Sequence, residues 1–248
     1  MKIDAEKCVG CGKCASYCTM RGSIMSFGRN PKNPAKIYAL IDEKECVECC
    51  VCLRSGVCQQ EALYQPELSW PRIVRKNFSD PLKIHPETRI PGRGTEEMKT
   101  NEVTGRFKRG FYGAALEMGR PGVGAWFRDV EKAAMALASL GVAFEENNPV
   151  TKLMTDRKTG QINPEVLEEK VLSAIIEFLI PQEKLSTLLE ALKKIAKKID
   201  TVFSGDIISR VEKDGSISYL KVFQEGSRFL SINGKSNVGL GRPKYRED

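Results

Sequence analysis

Past residue 109 the chain alternates between short apolar runs and longer stretches with helical spacing. Phe111 to Met118 is apolar and short enough for a buried strand. Trp126 to Leu140 places Phe127, Val130, Ala134 and Leu137 three or four residues apart, and Gly141 ends the pattern, which predicts a helix. Val142 to Phe144 predicts a second strand. The unit then returns, with Leu172 to Ile180 as a buried strand and Gln182 to Ile199, after Pro181, as a helix. In that helix Leu185, Leu188, Leu189, Leu192, Ile195, Ala196 and Ile199 form one stripe, while Lys193, Lys194, Lys197 and Lys198 sit at the end that the helix dipole favours for cations. Strands are predicted at Val202 to Val211 and Ser216 to Phe223 around an Asp214-Gly215 hairpin turn, with a shorter one at Arg228 to Ile232 before Asn233-Gly234. Two successive strand-helix-strand units predict an α+β domain, a βαββαβ sandwich with its helices on one face of a mainly antiparallel sheet.

The earlier part of the chain has a different texture. Residues 65–109 are polar, with Pro66, Pro71, Pro81, Pro86 and Pro91 spaced along them, and they predict an ordered connector or a functional loop, since structureless stretches of this length are uncommon in compact domains. Residues 1–64 contain an internal repeat: Ile3-Asp4-Ala5-Glu6-Lys7-Cys8 returns as Ile41-Asp42-Glu43-Lys44-Glu45-Cys46, and each copy opens a Cys-rich loop. The expected division is therefore 1–64, 65–109 and 110–248.

Composition narrows the function classes. The chain has 248 residues, enough for two modest domains. No run approaches the roughly 20 apolar residues that span a bilayer, so no membrane segment is expected. The N-terminus lacks the apolar core of a secretory signal, and a cytoplasmic location is the expectation. The formal charge of +7 favours acidic surfaces or anionic ligands, but no nucleic-acid-binding motif accompanies it and nucleic acid is not an expected partner. All nine cysteines precede residue 59, so a disulfide framework would leave one unpaired and the rest of the chain without a staple. Metal ligation is the better expectation in a reducing compartment.

The spacing is specific. Cys8, Cys11, Cys14 and Cys18 form C-x2-C-x2-C-x3-C; Cys46, Cys49, Cys52 and Cys58 follow with x2, x2 and x5. Three thiolates at x2 spacing let one tight loop take three corners of an iron–sulfur cubane. Zinc is the alternative, although zinc sites usually draw paired cysteines from separate knuckles. In these motifs the chain resembles the two-cluster bacterial-type ferredoxin family over residues 1–64. The resemblance implies two [4Fe–4S] clusters and crossed ligation, with Cys8, Cys11, Cys14 and Cys58 on one cluster and Cys46, Cys49, Cys52 and Cys18 on the other. The proline that usually follows the fourth cysteine is replaced by Thr19 and by Gln59, and the second motif has two extra residues before Cys58. Gly10 and Gly12 suit a loop whose backbone N–H groups approach sulfur closely. Cys50 stands where the first motif has Gly12, as either a small buried residue beside the cluster or a spare thiol.

Beyond residue 64 the resemblance is only to a ferredoxin-like, ACT-like element order, and that fold serves many functions. Residues 91–106 combine glycines with Arg93, Lys99 and Arg106, which suits either a clamp for a carboxylate or phosphate or an ordered interdomain loop. Gly119-Arg120-Pro121-Gly122-Val123-Gly124 lies between a predicted strand and a predicted helix and reads as a tight turn or as an anion site at the helix start, with Arg120 as its cation. A similar cluster covers Asn237 to Pro243. His85, the one histidine, falls among prolines and reads as a loop residue rather than a base.

Three functions fit. In the first, an electron-transfer protein passes low-potential electrons to or from a partner oxidoreductase. In the second, a reductase subunit in anaerobic sulfur or small-acid metabolism holds an anionic substrate near its clusters. The third is a redox-linked sensor of a small ligand. Outside the cysteine motifs no nucleophile has an obvious activating base, which favours a carrier over an autonomous enzyme.

Overall fold

A computed structural model of the chain describes residues 1–95 and 107–225. Within residues 1–64 the elements are β1 (Lys2–Ile3), α1 (Lys13–Ser16), β2 (Met25–Arg29), β3 (Ile37–Ile41), α2 (Val51–Arg54) and β4 (Leu63–Tyr64). β1 and β4 pair antiparallel, Ile3 opposite Leu63, and close the unit end to end; β2 and β3 form a hairpin between the two cysteine loops. The sequence pattern does not predict that hairpin.

The larger unit is α+β. Its four-stranded sheet joins β5 (Phe111–Met118), β7 (Ala143–Phe144), β11 (Ala174–Pro181) and β12 (Phe203–Ile208) in the order β12-β5-β11-β7, every neighbour antiparallel. α4 (Phe127–Ala138) links the first strand to the second and α6 (Leu185–Ala196) the third to the fourth. Alternation along the two central strands explains the packing. Leu116 and Met118 of β5 and Ile176, Phe178 and Ile180 of β11 pack into one core with Phe127, Val130, Ala134 and Leu137 of α4 and with Leu185, Leu188 and Ile195 of α6. The stripe predicted for the second helix is narrower than its pattern, because the helix ends at Ala196 and Ala196 itself is exposed.

Two features depart from expectation. Between the second and third sheet strands the chain makes an excursion of α5 (Pro149–Lys152), β8 (Met154–Asp156), β9 (Gln161–Ile162) and β10 (Lys170–Val171), with β10 pairing back onto β6 (Ala125–Trp126), which lies between the first strand and α4. The strand expected at Ser216 to Phe223 is instead a helix, α7 (Tyr219–Glu225). Its apolar residues Tyr219, Val222 and Phe223 fall at helical spacing and pack on the core edge, while Tyr112 Oη and Ser218 Oγ lie 3.0 Å apart at its start. The Asp214-Gly215 turn is present, closed by the Gly215 N–H onto Glu212 O, but it leads into that helix. The strand expected at Arg228 to Ile232 and the cluster at Asn237 to Pro243 lie outside the described residues.

The polar connector is more built than its composition suggests. It carries α3 (Ile73–Ser79), whose Val74 and Phe78 enter the main core and whose Arg75 is 3% exposed. Arg75 donates to the carbonyls of Lys44 and Cys46 on one side and to Glu168 O and the Glu169 carboxylate on the other. Ser79 Oγ accepts from Leu172 N at 2.9 Å, and Asp80 pairs with Arg54 at 2.9 Å. These buried polar groups are satisfied by backbone and by charge from both flanking units, so the segment needs little apolar periodicity to be ordered. His85 is buried as well, edge-on to Phe78, and its Nδ1 accepts the Glu87 N–H at 3.3 Å. Burial holds its pKa below the usual histidine range against a weaker opposing pull from Glu87.

Arg75→Ala should lower stability by about 3 to 5 kcal/mol, because it strands a half-buried carboxylate and several carbonyls. Arg157→Ala, which removes an exposed pair with Glu146, should stay within about 0.5 kcal/mol. Urea midpoints of the two variants check this, and equal midpoints would show that α3 does not clamp the two units.

Candidate functional site: two cysteine cavities

Each copy of the repeat launches its loop in the same way. Asp4 Oδ1 accepts from Glu6 N and Asp42 Oδ1 from Lys44 N; the Cys8 N–H then bonds Asp4 O and the Cys46 N–H bonds Asp42 O, both at 3.0 Å. The loops that follow need two left-handed residues each. In the first copy these are Gly10 and Gly12, with φ of 68° and 73°; in the second they are Glu48 and Cys50, both at 57°. The glycines are the unstrained choice, and space also requires them: a Cβ on Gly10 would sit 2.7 Å from Ile37 O, and one on Gly12 3.0 Å from the Phe27 ring. Gly12 and Cys50 occupy the same place, at the N-terminus of α1 and of α2.

The eight motif cysteines ring two cavities. Cys8, Cys11, Cys14 and Cys58 line the first, about 110 Å³, together with Val9, Lys13 and Ala39. Cys18, Cys46, Cys49 and Cys52 line the second, about 20 Å³, with Met1, Met20 and Met25 in its wall. Each cavity therefore takes three motif cysteines from one loop and one from the other, and Cys50 also lines the second. All nine cysteines are free thiols. Among the described residues no three His, Cys, Asp or Glu side chains converge as a single ion would require. The donor set is sulfur throughout, in successive C-x2-C steps, which suits a multi-iron cluster better than one zinc ion. The second cavity is narrow, and its methionines are the side chains best able to yield to a bulky group.

Hydrogen bonds reach the sulfurs. Cys8 Sγ accepts the N–H groups of Gly10 at 3.5 Å and Ala39 at 3.4 Å, Cys58 Sγ accepts that of Ala62 at 3.3 Å, and Thr19 Oγ1 lies 3.2 Å from Cys49 Sγ. Ala39 belongs to the β2–β3 hairpin, and Thr19 follows Cys18 directly. Such bonds favour thiolate and are among the determinants of cluster potential. Burial opposes them. The Cys14 thiol is pushed up by burial and then by its neighbours Cys8, Cys11 and Cys58; Cys52 is pushed up to about 12 by burial and then chiefly by Cys49, Cys46 and Cys18. Raised in this way, the Cys14 and Cys52 thiols hold their protons until a cationic group displaces them, so loading either cavity releases protons.

The second loop is clasped from outside. Glu48, 1% exposed, accepts from the Met1 amino group, from Arg72 and from Gln65 Nε2 at 3.1 Å. Burial alone would push its carboxyl up, but the amino group and Arg72 outweigh burial and hold it below the ordinary carboxylate range. Lys170 pairs with Glu45, and Arg54 donates to Cys49 O at 2.8 Å. Cys46, Cys49 and Cys52 are accordingly buried while Cys11 is exposed. Cys50 is buried, donates its thiol to Gln65 Oε1 at 2.8 Å, and has its pKa raised to about 11, mainly by burial. It behaves as a packed residue on the cavity wall. Glu48, Arg72 and Gln65 were not picked out from sequence; the left-handed pair copied from Gly10 and Gly12 was the available signal for Glu48.

The expected anion site takes a different form. Arg93 is largely buried, with Nη1 3.0 Å from Glu117 Oε2 and 3.5 Å from Ser173 Oγ, so it pins the connector to the sheet. Arg120 lies near it, its pKa lowered by burial and then by the charge of Arg93. Lys99 and Arg106 lie outside the described residues. The Gly119 to Gly124 turn spends its own donors, the N–H groups of Val123 and Gly124 both bonding Gly119 O, and the first N–H groups of α4 bond Glu169 O and Leu167 O. A Cβ on Gly122 would meet Thr19 O at 3.2 Å, so the turn packs against the backbone of Thr19, the residue after Cys18. It is a tight turn rather than an anion cradle.

A protein-family model, the 4Fe-4S binding domain, matches residues 1–20. No curated protein and no solved structure matches the chain. The N-terminal segment is thus ferredoxin-type, and its cysteines belong to iron–sulfur chemistry of the electron-transfer kind. Among the described residues no helix is long and apolar enough to cross a membrane.

Cys50→Gly should keep the full iron content of the parent, since the eight other cysteines supply both rings and glycine suits φ of 57°. Iron analysis after anaerobic purification checks this, and loss of half the iron would assign Cys50 as a ligand.

Proposed function

We propose that the chain carries two [4Fe–4S] clusters and passes low-potential electrons to or from a partner oxidoreductase. The observation that supports this is the arrangement of eight cysteines around two cavities, each completed by the other loop, in a chain whose start matches a 4Fe-4S binding domain. Cys8, Cys11, Cys14 and Cys58 would hold one cluster and Cys18, Cys46, Cys49 and Cys52 the other. When bound, such a group accepts and returns one electron at a time. The chain's own contribution is to fix the eight sulfurs, aim N–H donors at Cys8 and Cys58, and keep water from the second ring by burying it. We further propose residues 1–64 as a two-cluster ferredoxin unit and the sheet domain as a ferredoxin-like, ACT-like βαββαβ sandwich, which its strand order supports. In this proposal the sandwich is a scaffold that clasps the second loop through α3. The reductase-subunit reading rests on an anion site in which Arg93 would take part, and Arg93 is paired with Glu117; the sensor reading rests on the ACT-like element order.

Protein purified without oxygen should contain about eight iron and eight acid-labile sulfides per chain, as two cubanes require. Once reduced with dithionite it should pass electrons to protein acceptors and not to small metabolites in stopped-flow traces. Stoichiometric zinc in place of iron, or rapid oxidation by one specific metabolite, would overturn the proposal.

A further inference from the structure

The two cavities differ in what surrounds them. The second is closed in by the methionines and by the Arg72, Arg75 and Lys170 contacts, whereas the first opens beside an apolar rim. Val9, Phe27 and Ile37 are 58%, 52% and 56% exposed. Val9 lines the cavity itself, and Phe27 and Ile37 of the hairpin press against Gly12 and Gly10 of the same loop. Cys11, the most accessible of its ring, sits among them.

Cations flank that rim. Lys7 precedes Cys8, Lys13 lies in the cavity wall between Cys11 and Cys14, and Lys36 precedes Ile37; all three are exposed and none has an ion-pair partner among the described residues. Nearby lysines are different: Lys2 pairs with Glu43 and Lys32 with Glu6. An apolar centre with a charged, solvated edge is the ordinary anatomy of a transient interface. Three like charges around it disfavour a second copy of this chain and favour a partner of opposite sign.

We propose that the Val9–Phe27–Ile37 rim of the first cavity is the docking face for the redox partner, and that the partner is a protein presenting acidic side chains around an apolar patch. The inference rests on the electron-transfer reading and adds the place and charge of contact. Electrons enter or leave at the exposed ring, and the buried ring lies behind it.

The test uses the full-length, cluster-loaded protein with two defined probes, an acidic flavodoxin and the basic cytochrome c. Calorimetry measures binding, stopped-flow measures transfer, and both are run across a salt series. The acidic probe should bind more tightly and react faster, and both preferences should fade as the Debye length shortens. Lys7→Glu/Lys13→Glu/Lys36→Glu should slow association with the acidic probe by about tenfold or more and speed that with cytochrome c. Phe27→Ser/Ile37→Ser, which keeps every charge, should weaken binding of the acidic probe at high salt as well as low. Equal behaviour of the two probes, or parent-like binding by both variants, would overturn the docking face. So would a charge-reversal variant whose cluster potential shifts while its probe preference stays. Failure of the electron-transfer reading looks different, as missing iron or no bleaching by dithionite, and calorimetric binding decides the docking face even then.

Discussion

Neither cysteine cavity can be assembled from one copy of the repeat. Each cavity is lined by cysteines of both loops, so the two loops must be held face to face for either cavity to form as it stands. The rest of residues 1–64 serves that requirement. β1 and β4 tie the ends together, the Asp4 and Asp42 turns start the loops alike, and the β2–β3 hairpin delivers the Ala39 N–H to Cys8. The unfavourable part is electrostatic: burial and the neighbouring cysteines keep the Cys14 and Cys52 thiols protonated until a cationic group compensates them. The fold of this unit is therefore coupled to loading, as in other small metal-bound domains.

The second loop differs from the first because the remainder of the chain leans on it. Arg75 grips the carbonyls just before and at Cys46, Arg72 and Gln65 hold Glu48, and the Gly119 to Gly124 turn packs against Thr19. The first copy has glycine at both left-handed positions, whereas the second tolerates Glu48 and Cys50 there because each side chain finds buried partners. Three cysteines of the second loop end up buried, whereas the first cavity keeps one exposed cysteine, Cys11.

Much of this was legible in the residues. The cysteine spacing and the Ile-Asp repeat mark the loops, and the core stripes of α4 and α6 stand out because apolar residues recur at helical period. What was hidden had physical reasons. α3 is ordered by buried polar contacts with two neighbouring units, and such contacts leave no hydrophobic period. α7 carries Tyr219, Val222 and Phe223 in a run too short to separate helix from strand. Arg93 looked like a ligand clamp because its partner, Glu117, is brought alongside only by the sheet.

The interlocked rings can be tested by changing each of the eight motif cysteines singly to serine and recording the EPR spectrum of the dithionite-reduced protein. The eight spectra should fall into two groups, one from Cys8, Cys11, Cys14 and Cys58 and the other from Cys18, Cys46, Cys49 and Cys52. A division by loop, with Cys18 grouped beside Cys8, Cys11 and Cys14, would contradict the crossed arrangement.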